Sequence, residues 1–341
     1  MSFAEAENRP GANAVRLGGG TPTGMGSLPF SEPGRAVAAV LELLPELPSS
    51  PQLPRRSPRE LMLAQGAAGM SGVHIAADGS LYTDTRAIGP VAVSAALQGE
   101  AWVSLRAFVQ AVAGRAQPVK LQLTGPITLG LALAAAGVPS PLAFTVAGAQ
   151  VRAQAEALSA MVDKRLPAGA LVVLDEPGLS ALTSSSYPLP LDATIDLLSG
   201  VLAVLGHACL AGVHCCGPTD WQLVLQAGPD LASFPVEYAP EAGVLAGFLE
   251  RGGLAAWGAV PTDRPIGSDP EPHWRRLSEA WCDAARGGCD PALLRSQALI
   301  TPACGLGMHG LEQVAHVFAL VRGISERVQD QAIAVRLSAG A

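Results

Sequence analysis

The alternation of two kinds of segment along this sequence is what most limits the fold it can adopt. Short apolar runs rich in Val, Ile and Leu are followed by longer stretches with the Ala/Leu pattern of helices, and this alternation predicts βα units. Eight segments have the length and composition of strands: 23–28, 59–64, 119–123, 170–174, 209–214, 232–236, 254–260 and 298–301. They predict an α/β fold of the (β/α)8 TIM-barrel type. A doubly wound sheet is the alternative, and the lack of a G-x-G-x-x-G turn after any early strand counts against it.

Helical patterns fill most of the intervals between these strands. They start near Pro, Asp or Gly and cover 141–163, 191–205, 218–226, 241–251, 273–286 and 310–327. We interpret residues 21–341 as one barrel domain that follows a flexible N-terminal segment at 1–20. Residues 49–59 form a Pro-rich loop, and the weakly periodic residues 69–99 are an excursion at the barrel rim whose form the pattern does not predict.

Charge and hydropathy exclude several classes of partner. The formal net charge is −7, and no cluster of Lys and Arg is longer than the one in PRRSPRE, so we expect no nucleic-acid or anionic-membrane partner. The longest apolar stretch, at 197–213, is interrupted by Gly and His, which argues against a membrane span. The first residues lack the apolar core of a secretory signal. These features favour a cytoplasmic protein with a small-molecule partner.

A histidine and two cysteines stand together in the stretch GVHCCGPTDW, at the end of the fifth predicted strand. Side chains at i and i+2 of a strand share a face, so His214 and Cys216 can converge while Cys215 faces elsewhere. Barrel strands deliver functional residues from their carboxyl ends, and two later strands end with Glu237 and Cys304. An imidazole, two thiolates and a carboxylate are a ligand set typical of Zn²⁺. We therefore predict a zinc site at His214, Cys216, Glu237 and Cys304.

Several short motifs, in a fixed order along the chain, carry a family resemblance. Together with Glu237 they are MGSLPF at 25–30, LTGPITL at 123–129, LDEPGL at 174–179, HCC at 214–216 and TPACGLG at 301–307. This set resembles the catalytic C-terminal barrel of cobalamin-independent methionine synthase, within the uroporphyrinogen decarboxylase/methionine synthase-like superfamily. The resemblance covers residues 21–327 and implies a stand-alone core without the family's N-terminal barrel.

The resemblance implies a zinc-dependent methyltransferase that acts on a thiol, with homocysteine as the acceptor and methionine as the product. The same four ligands would hold the zinc, which turns the bound thiol into a thiolate nucleophile. The amino acid would be held by Gly26 and Ser27 of the Gly-Ser motif and by Asp175 of the Asp-Glu-Pro motif, with Glu176 beside it. The Asp175 carboxylate suits an ammonium group.

Three departures from the family concern the acceptor and the donor. The family's Gly-Glu segment has no clear match in ELMLAQGAAGMSG. Ala181 stands where the family has a folate-contacting Glu, and WGAVPTD at 257–263 lacks the His of the family's Asp-x-His. Methyltetrahydrofolate is a poor donor unless its leaving nitrogen is protonated. We therefore expect methylcobalamin or a corrinoid protein to be a better donor than methyltetrahydrofolate.

Other functions stay open at this point. The chain could be a corrinoid-dependent methyltransferase that acts on another thiol, because related zinc methyltransferases share a His-x-Cys-Gly motif. It could also be a non-catalytic zinc-binding barrel, or a metal-free barrel that resembles a decarboxylase.

Overall fold

A computed structural model of the chain describes residues 15, 17 and 19–339. The flexible segment predicted at 1–20 falls almost entirely outside these residues.

The architecture is an α/β fold built on one curled sheet of seven parallel strands, in the order β1-β9-β8-β7-β6-β5-β4. A separate antiparallel hairpin contains β2 and β3. The strands are β1 (Thr21–Pro22), β2 (Val73–Ile75), β3 (Leu81–Thr83), β4 (Val119–Thr124), β5 (Ala170–Asp175), β6 (Leu210–His214), β7 (Leu231–Pro235), β8 (Leu254–Val260) and β9 (Ala298–Pro302). The six strands predicted from residue 119 onward are confirmed to within two residues.

Helices connect the parallel strands, as the alternating pattern predicts. They are α1 (Pro33–Leu43), α2 (Met62–Gly66), α3 (Val103–Ala111), α4 (Pro126–Ala135), α5 (Ser140–Arg165), α6 (Leu191–Leu205), α7 (Trp221–Gln226), α8 (Ala242–Glu250), α9 (Glu271–Arg286), α10 (Pro291–Ser296) and α11 (Leu311–Ala339). All six predicted helices are present, and the last extends to Ala339. Among the described residues, no helix is long and apolar enough to cross a membrane.

The described residues form seven parallel strands rather than the eight expected, so the sheet is consistent with a TIM-like barrel but does not form eight continuous strands. The gap between β1 and β4 is crossed by residues 48–52, which make only two isolated parallel bridges, Ser27 with Gln52 and Ser49 with Lys120. Proline has no backbone N–H to donate to a ladder, and this segment has proline at positions 48 and 51. The strand predicted at 59–64 is wrong, because these residues form a 3-10 helix, Pro58–Glu60, and the start of α2.

The interior of the curled sheet is apolar toward the amino ends of the strands and polar toward their carboxyl ends. The apolar layer is a cluster of Leu47, Leu171, Val173, Leu231, Ala256 and Leu299. Because strand side chains alternate between faces, Asp175 follows Val173 on the inner face and is the last residue of β5. His214 and Ser233 lie beside it in register on the next two strands. Polar side chains therefore collect at the carboxyl ends of the strands.

The rim excursion at 69–99 contains the β2–β3 hairpin and is tied to the helices by side-chain hydrogen bonds. Thr83 Oγ1 donates to the Ala136 carbonyl at 2.8 Å. The amide of Val91 donates to Gln150 Oε1 at 2.7 Å, on the buried face of α5. These bonds give a defined form to the segment for which the sequence pattern predicted none.

Candidate active site

A cavity of about 270 Å³ opens at the carboxyl ends of the strands. Its wall contains five of the residues predicted for the site: Ser27, Asp175, His214, Cys216 and Cys304. Most of the remaining wall is apolar and includes Met25, Leu61, Met62 and Met308. The structure therefore brings residues from the amino-terminal, central and carboxyl-terminal parts of the chain into one depression.

His214 is the last residue of β6 and is held on two sides. Its ring nitrogen Nδ1 lies 2.9 Å from Ser233 Oγ on β7. Its backbone carbonyl accepts a 2.8 Å hydrogen bond from the amide of Glu176. The side chain is 5% exposed, so the ring is fixed with little competition from water.

Cys216, Cys304 and His214 are neighbours in the cavity wall, where the two thiols and the imidazole influence one another. The hydrogen bond from Cys216, with a second from His214, holds the pKa of the Cys304 thiol well below its ordinary value. The same contact with Cys304, together with burial, raises the pKa of Cys216. The two sulfurs and the imidazole thus form one coupled group.

Cys215 points away from this group, as the strand alternation predicts. Its buried thiol lies 3.5 Å from Ser180 Oγ and 3.5 Å from the carbonyl oxygen of Gly217. Burial is the main cause that raises its pKa. Cys215 is not among the residues that line the cavity.

Glu237 does not join the other predicted ligands. It lies in the 3-10 helix Val236–Tyr238 after β7, where its carboxylate is 3.5 Å from the guanidinium of Arg264 and 3.2 Å from that of Arg276. The residue in line with Ser233 at the end of β7 is Pro235, which has no metal-binding side chain. The structure therefore does not bring Glu237 together with the other predicted ligands: two arginines hold its carboxylate, and it does not line the cavity.

Asp175 lines the cavity and has a carboxylate oxygen without a partner. Its Oδ1 atom is buried and has no hydrogen-bond partner within the described part of the chain. Burial raises the pKa of Asp175, and the nearby Lys120 opposes that shift. Burial lowers the pKa of Lys120 to about 8, and its ammonium also donates to the Met25 carbonyl at 3.2 Å. Sequence reasoning missed Lys120, although a lysine within the strand VKLQLT was a visible signal.

Glu176 was predicted beside the substrate, and the structure gives it a different position. Its carboxylate accepts hydrogen bonds from the amides of Ile127 and Thr128 at 2.8 and 2.7 Å and from Thr128 Oγ1 at 2.6 Å. These groups form the first turn of α4, so the carboxylate caps the helix amino terminus. Burial raises the pKa of Glu176 to about 7, although these hydrogen bonds oppose the shift. The residue is fully buried and does not line the cavity.

The Gly-Ser and Cys-Gly-Leu motifs pack directly on each other. The amide of Leu306 donates to the Ser27 carbonyl at 2.7 Å, and a Cβ at Gly307 would lie 2.3 Å from Ser27 Oγ. Gly26 has a φ of +122° and sits against the Gln122 side chain, where a Cβ would lie 2.2 Å from Nε2. The close packing leaves no room for a side chain at Gly26 or Gly307. Ser27 is thereby placed in the cavity wall, and Gly26 forms the turn behind it.

Glu60 lines the cavity and is a further residue that sequence reasoning did not single out. One carboxylate oxygen accepts from the Leu53 amide at 2.7 Å, and the other accepts from Arg56 Nε at 2.8 Å and Ser104 Oγ at 2.9 Å. The side chain is buried. With both oxygens engaged, Glu60 anchors the loop after the 48–52 segment.

The residues fit zinc by the chemistry of their donors. Among the described residues, no group of three or more His, Cys, Asp or Glu side chains is arranged around a common ion position. The three donors that share the cavity are nevertheless an imidazole and two thiols, which zinc prefers. Three protein donors with a fourth position open to solvent is the pattern of catalytic zinc sites.

Solved structures with this fold include two enzymes. A B12-independent methionine synthase from Shewanella sp. W3-18-1, in complex with selenomethionine, matches with a TM-score of 0.58 at 15% sequence identity, over 93% of this chain and 99% of the other. A methyltransferase from Methanosarcina mazei matches with a TM-score of 0.55 at 16% identity, over 93% of both chains. At this identity the likeness establishes the fold. It agrees with the family resemblance of the motifs.

Comparisons at the level of sequence give no further relative. No protein-family model matches this chain, and no curated protein matches it.

Proposed function

We propose that this protein is a methyltransferase that transfers a methyl group to the sulfur of a small thiol, with homocysteine as the first acceptor to test. The observation that carries the proposal is the convergence of His214, Cys216 and Cys304 in one cavity whose wall also contains Asp175. A methionine synthase and a methyltransferase share the fold, and their names agree with this chemistry.

Zinc would be held by His214, Cys216 and Cys304. When bound, it would supply a Lewis acid that lowers the pKa of a thiol and keeps the sulfur as a thiolate at neutral pH. Two thiolate ligands and one neutral imidazole balance the charge of the ion, so the fourth position can take a further sulfur.

The remaining wall residues would bind and orient the acceptor. The Asp175 carboxylate, in the cavity wall, would accept a hydrogen bond from an ammonium or another N–H or O–H group on the substrate. The apolar surface of Met25, Leu61 and Met62 lies in the same wall and reduces the access of water to the sulfur. The Ser27 segment, fixed by Leu306, sets the width of the cavity.

The methyl donor is left to experiment. The absence of the family's folate-side residues, Ala181 and the His-free 257–263 segment, favours a corrinoid. The neighbour described as B12-independent favours folate. The test is an assay of the purified, zinc-loaded protein with homocysteine, supplied with methylcobalamin and with methyltetrahydrofolate in parallel. Formation of methionine with either donor supports the proposal, and no methyl transfer with either donor, or with other small thiols, contradicts it.

A non-catalytic zinc-binding barrel is the second candidate. Structural zinc sites are closed and usually have four protein ligands, whereas Glu237 is held away from the other donors. Removal of zinc by a chelator distinguishes the two functions, because a structural zinc contributes to folding. A fall in activity with little change in the thermal unfolding midpoint supports catalysis.

A further inference from the structure

We propose that Ser233 is a positioning residue for the metal site: it orients the imidazole of His214 through Nδ1, so that Nε2 is directed at the position shared with Cys216 and Cys304. This inference rests on the proposed function, because the orientation of the ring matters to the chemistry only if zinc binds here. Ser233 belongs to no motif of the sequence analysis and does not line the cavity.

The geometry that supports the inference is a hydrogen bond between neighbouring strands. Ser233 pairs with His214 in the parallel register of β6 and β7, and its Oγ lies 2.9 Å from His214 Nδ1. Ser233 is 2% exposed, so water has little access to replace the hydroxyl. The carbonyl of Ser233 also accepts a 3.1 Å hydrogen bond from the amide of Cys215. One residue therefore fixes the His214 ring and the backbone between His214 and Cys216.

The chemistry follows from the two nitrogens of a neutral imidazole. One nitrogen carries a proton and donates, and the other has a lone pair for a metal. With Ser233 Oγ as the acceptor, the proton is on Nδ1 and the lone pair is on Nε2. Metal-binding histidines commonly have such an outer partner, and its loss weakens metal binding. Alanine at 233 would leave a buried N–H without a partner and the ring free to turn.

A matched serine lies on the other side of the HCC stretch. Ser180 Oγ is 3.5 Å from Cys215 Sγ, and Cys215 does not line the cavity. Ser180→Ala removes one hydroxyl from the same neighbourhood without touching a proposed donor. Ser233→Thr keeps the hydroxyl on the inner face.

The experiment measures metal binding rather than turnover. Wild-type protein, Ser233→Ala, Ser233→Thr and Ser180→Ala are stripped with a chelator and titrated with Zn²⁺ against a competing chromophoric chelator. Ser233→Ala should weaken zinc binding by about 10- to 100-fold, and the other two variants should stay within about threefold of wild type. With Co²⁺ as probe, absorption bands from sulfur to cobalt should persist in all four proteins, while the ligand-field bands of Ser233→Ala should change.

The outcomes separate this inference from the proposed function. If wild-type protein takes up zinc in a 1:1 ratio and Ser233→Ala binds it equally well, with an unchanged cobalt spectrum, the positioning role is wrong and the proposed function stands. Weaker binding in Ser180→Ala equal to that in Ser233→Ala would also overturn it, because the effect would then be general to the neighbourhood. If wild-type protein binds no zinc, the proposed function itself fails and the inference fails with it.

Discussion

The carboxyl group of Glu176 lies against the α-carbon of Gly125, so closely that a Cβ at residue 125 would be 2.1 Å from Glu176 Cδ. This contact joins the Thr-Gly-Pro and Asp-Glu-Pro motifs, which are 51 residues apart in sequence. Glu176 cannot move aside, because its two oxygens are bound to the first turn of α4. The glycine of one motif is thus required by the glutamate of the other.

Gly125→Ala should therefore destabilise the protein. The added methyl group forces the capped carboxylate or the start of α4 to shift, and overpacking of this kind costs about 1–3 kcal/mol. Chemical denaturation measures the change. Gly34→Ala is the matched control, because Gly34 lies in α1 with no heavy atom within 4 Å of its Cβ position. An equal effect of the two substitutions would contradict the contact.

Glu176 should also make stability depend on pH between about 4.5 and 7. Its pKa is about 7 in the folded protein, against an ordinary value of 4.5, so the folded state binds more protons than the unfolded state in that window. The contribution is fully present below pH 4.5 and is lost as the pH rises through 7, by up to about 3 kcal/mol. The measurement is the difference in unfolding free energy between wild type and Glu176→Gln at a series of pH values. A difference that does not fall with rising pH would refute the shift.

Lys120 and Asp175 are both buried, and the charge of each shifts the pKa of the other, so the effects of their substitutions should be coupled. Lys120→Met alone removes the positive charge that favours the ionised Asp175 carboxylate and should destabilise the protein by about 0.5–3 kcal/mol. Lys120→Met with Asp175→Asn removes both charges and should recover most of that loss, because neither charge is then left buried alone. A double-mutant cycle on the unfolding free energy gives the coupling. Additive effects would mean that the two charges do not interact.

Substitutions of the cysteines should divide by their position relative to the cavity. Cys216→Ser and Cys304→Ser each remove a proposed donor and should lose most of the bound zinc, measured by elemental analysis of purified protein. Cys215→Ser should keep one zinc per chain, because the Cys215 thiol faces Ser180. Retention of zinc by Cys216→Ser together with its loss from Cys215→Ser would reverse the assignment.

Glu237→Gln should leave zinc affinity within about threefold of wild type, because the carboxylate is bound by Arg264 and Arg276 rather than directed at the cavity. The loss of two partly exposed ion pairs should cost about 1 kcal/mol or less. Chelator competition gives the affinity. A large loss of zinc would restore Glu237 as a ligand and require the arginine pairs to open.

Six of the strands were predictable because each is a short apolar run between recognisable helices, as in 170–174 and 254–260. The first two predicted strands, 23–28 and 59–64, were wrong. The first strand is the short β1 at Thr21–Pro22, and the backbone around 59–64 is helical. Two prolines interrupt the segment at 48–52 that closes the sheet. His214, Cys216 and Cys304 could be predicted from strand ends. The position of Glu237 depends on two arginines, one of them on α9, and no local pattern carries that information.

The broken ladder at residues 48–52 has a consequence for how the site comes into being during folding. Ser27 and Gln52, the two partners of one bridge, both stand in the cavity wall, and β1 is held on its other side by β9 from the far end of the chain. The wall thus depends on contacts between the first and last parts of the polypeptide, which are the slowest kind to form. In a folding intermediate in which only the six strands from β4 to β9 are paired with one another, His214 and Asp175 would be in place, but the cavity would lack one wall. The bridges that residues 48–52 make to β4 and to Ser27 would complete the wall and so turn the folded sheet into a binding site.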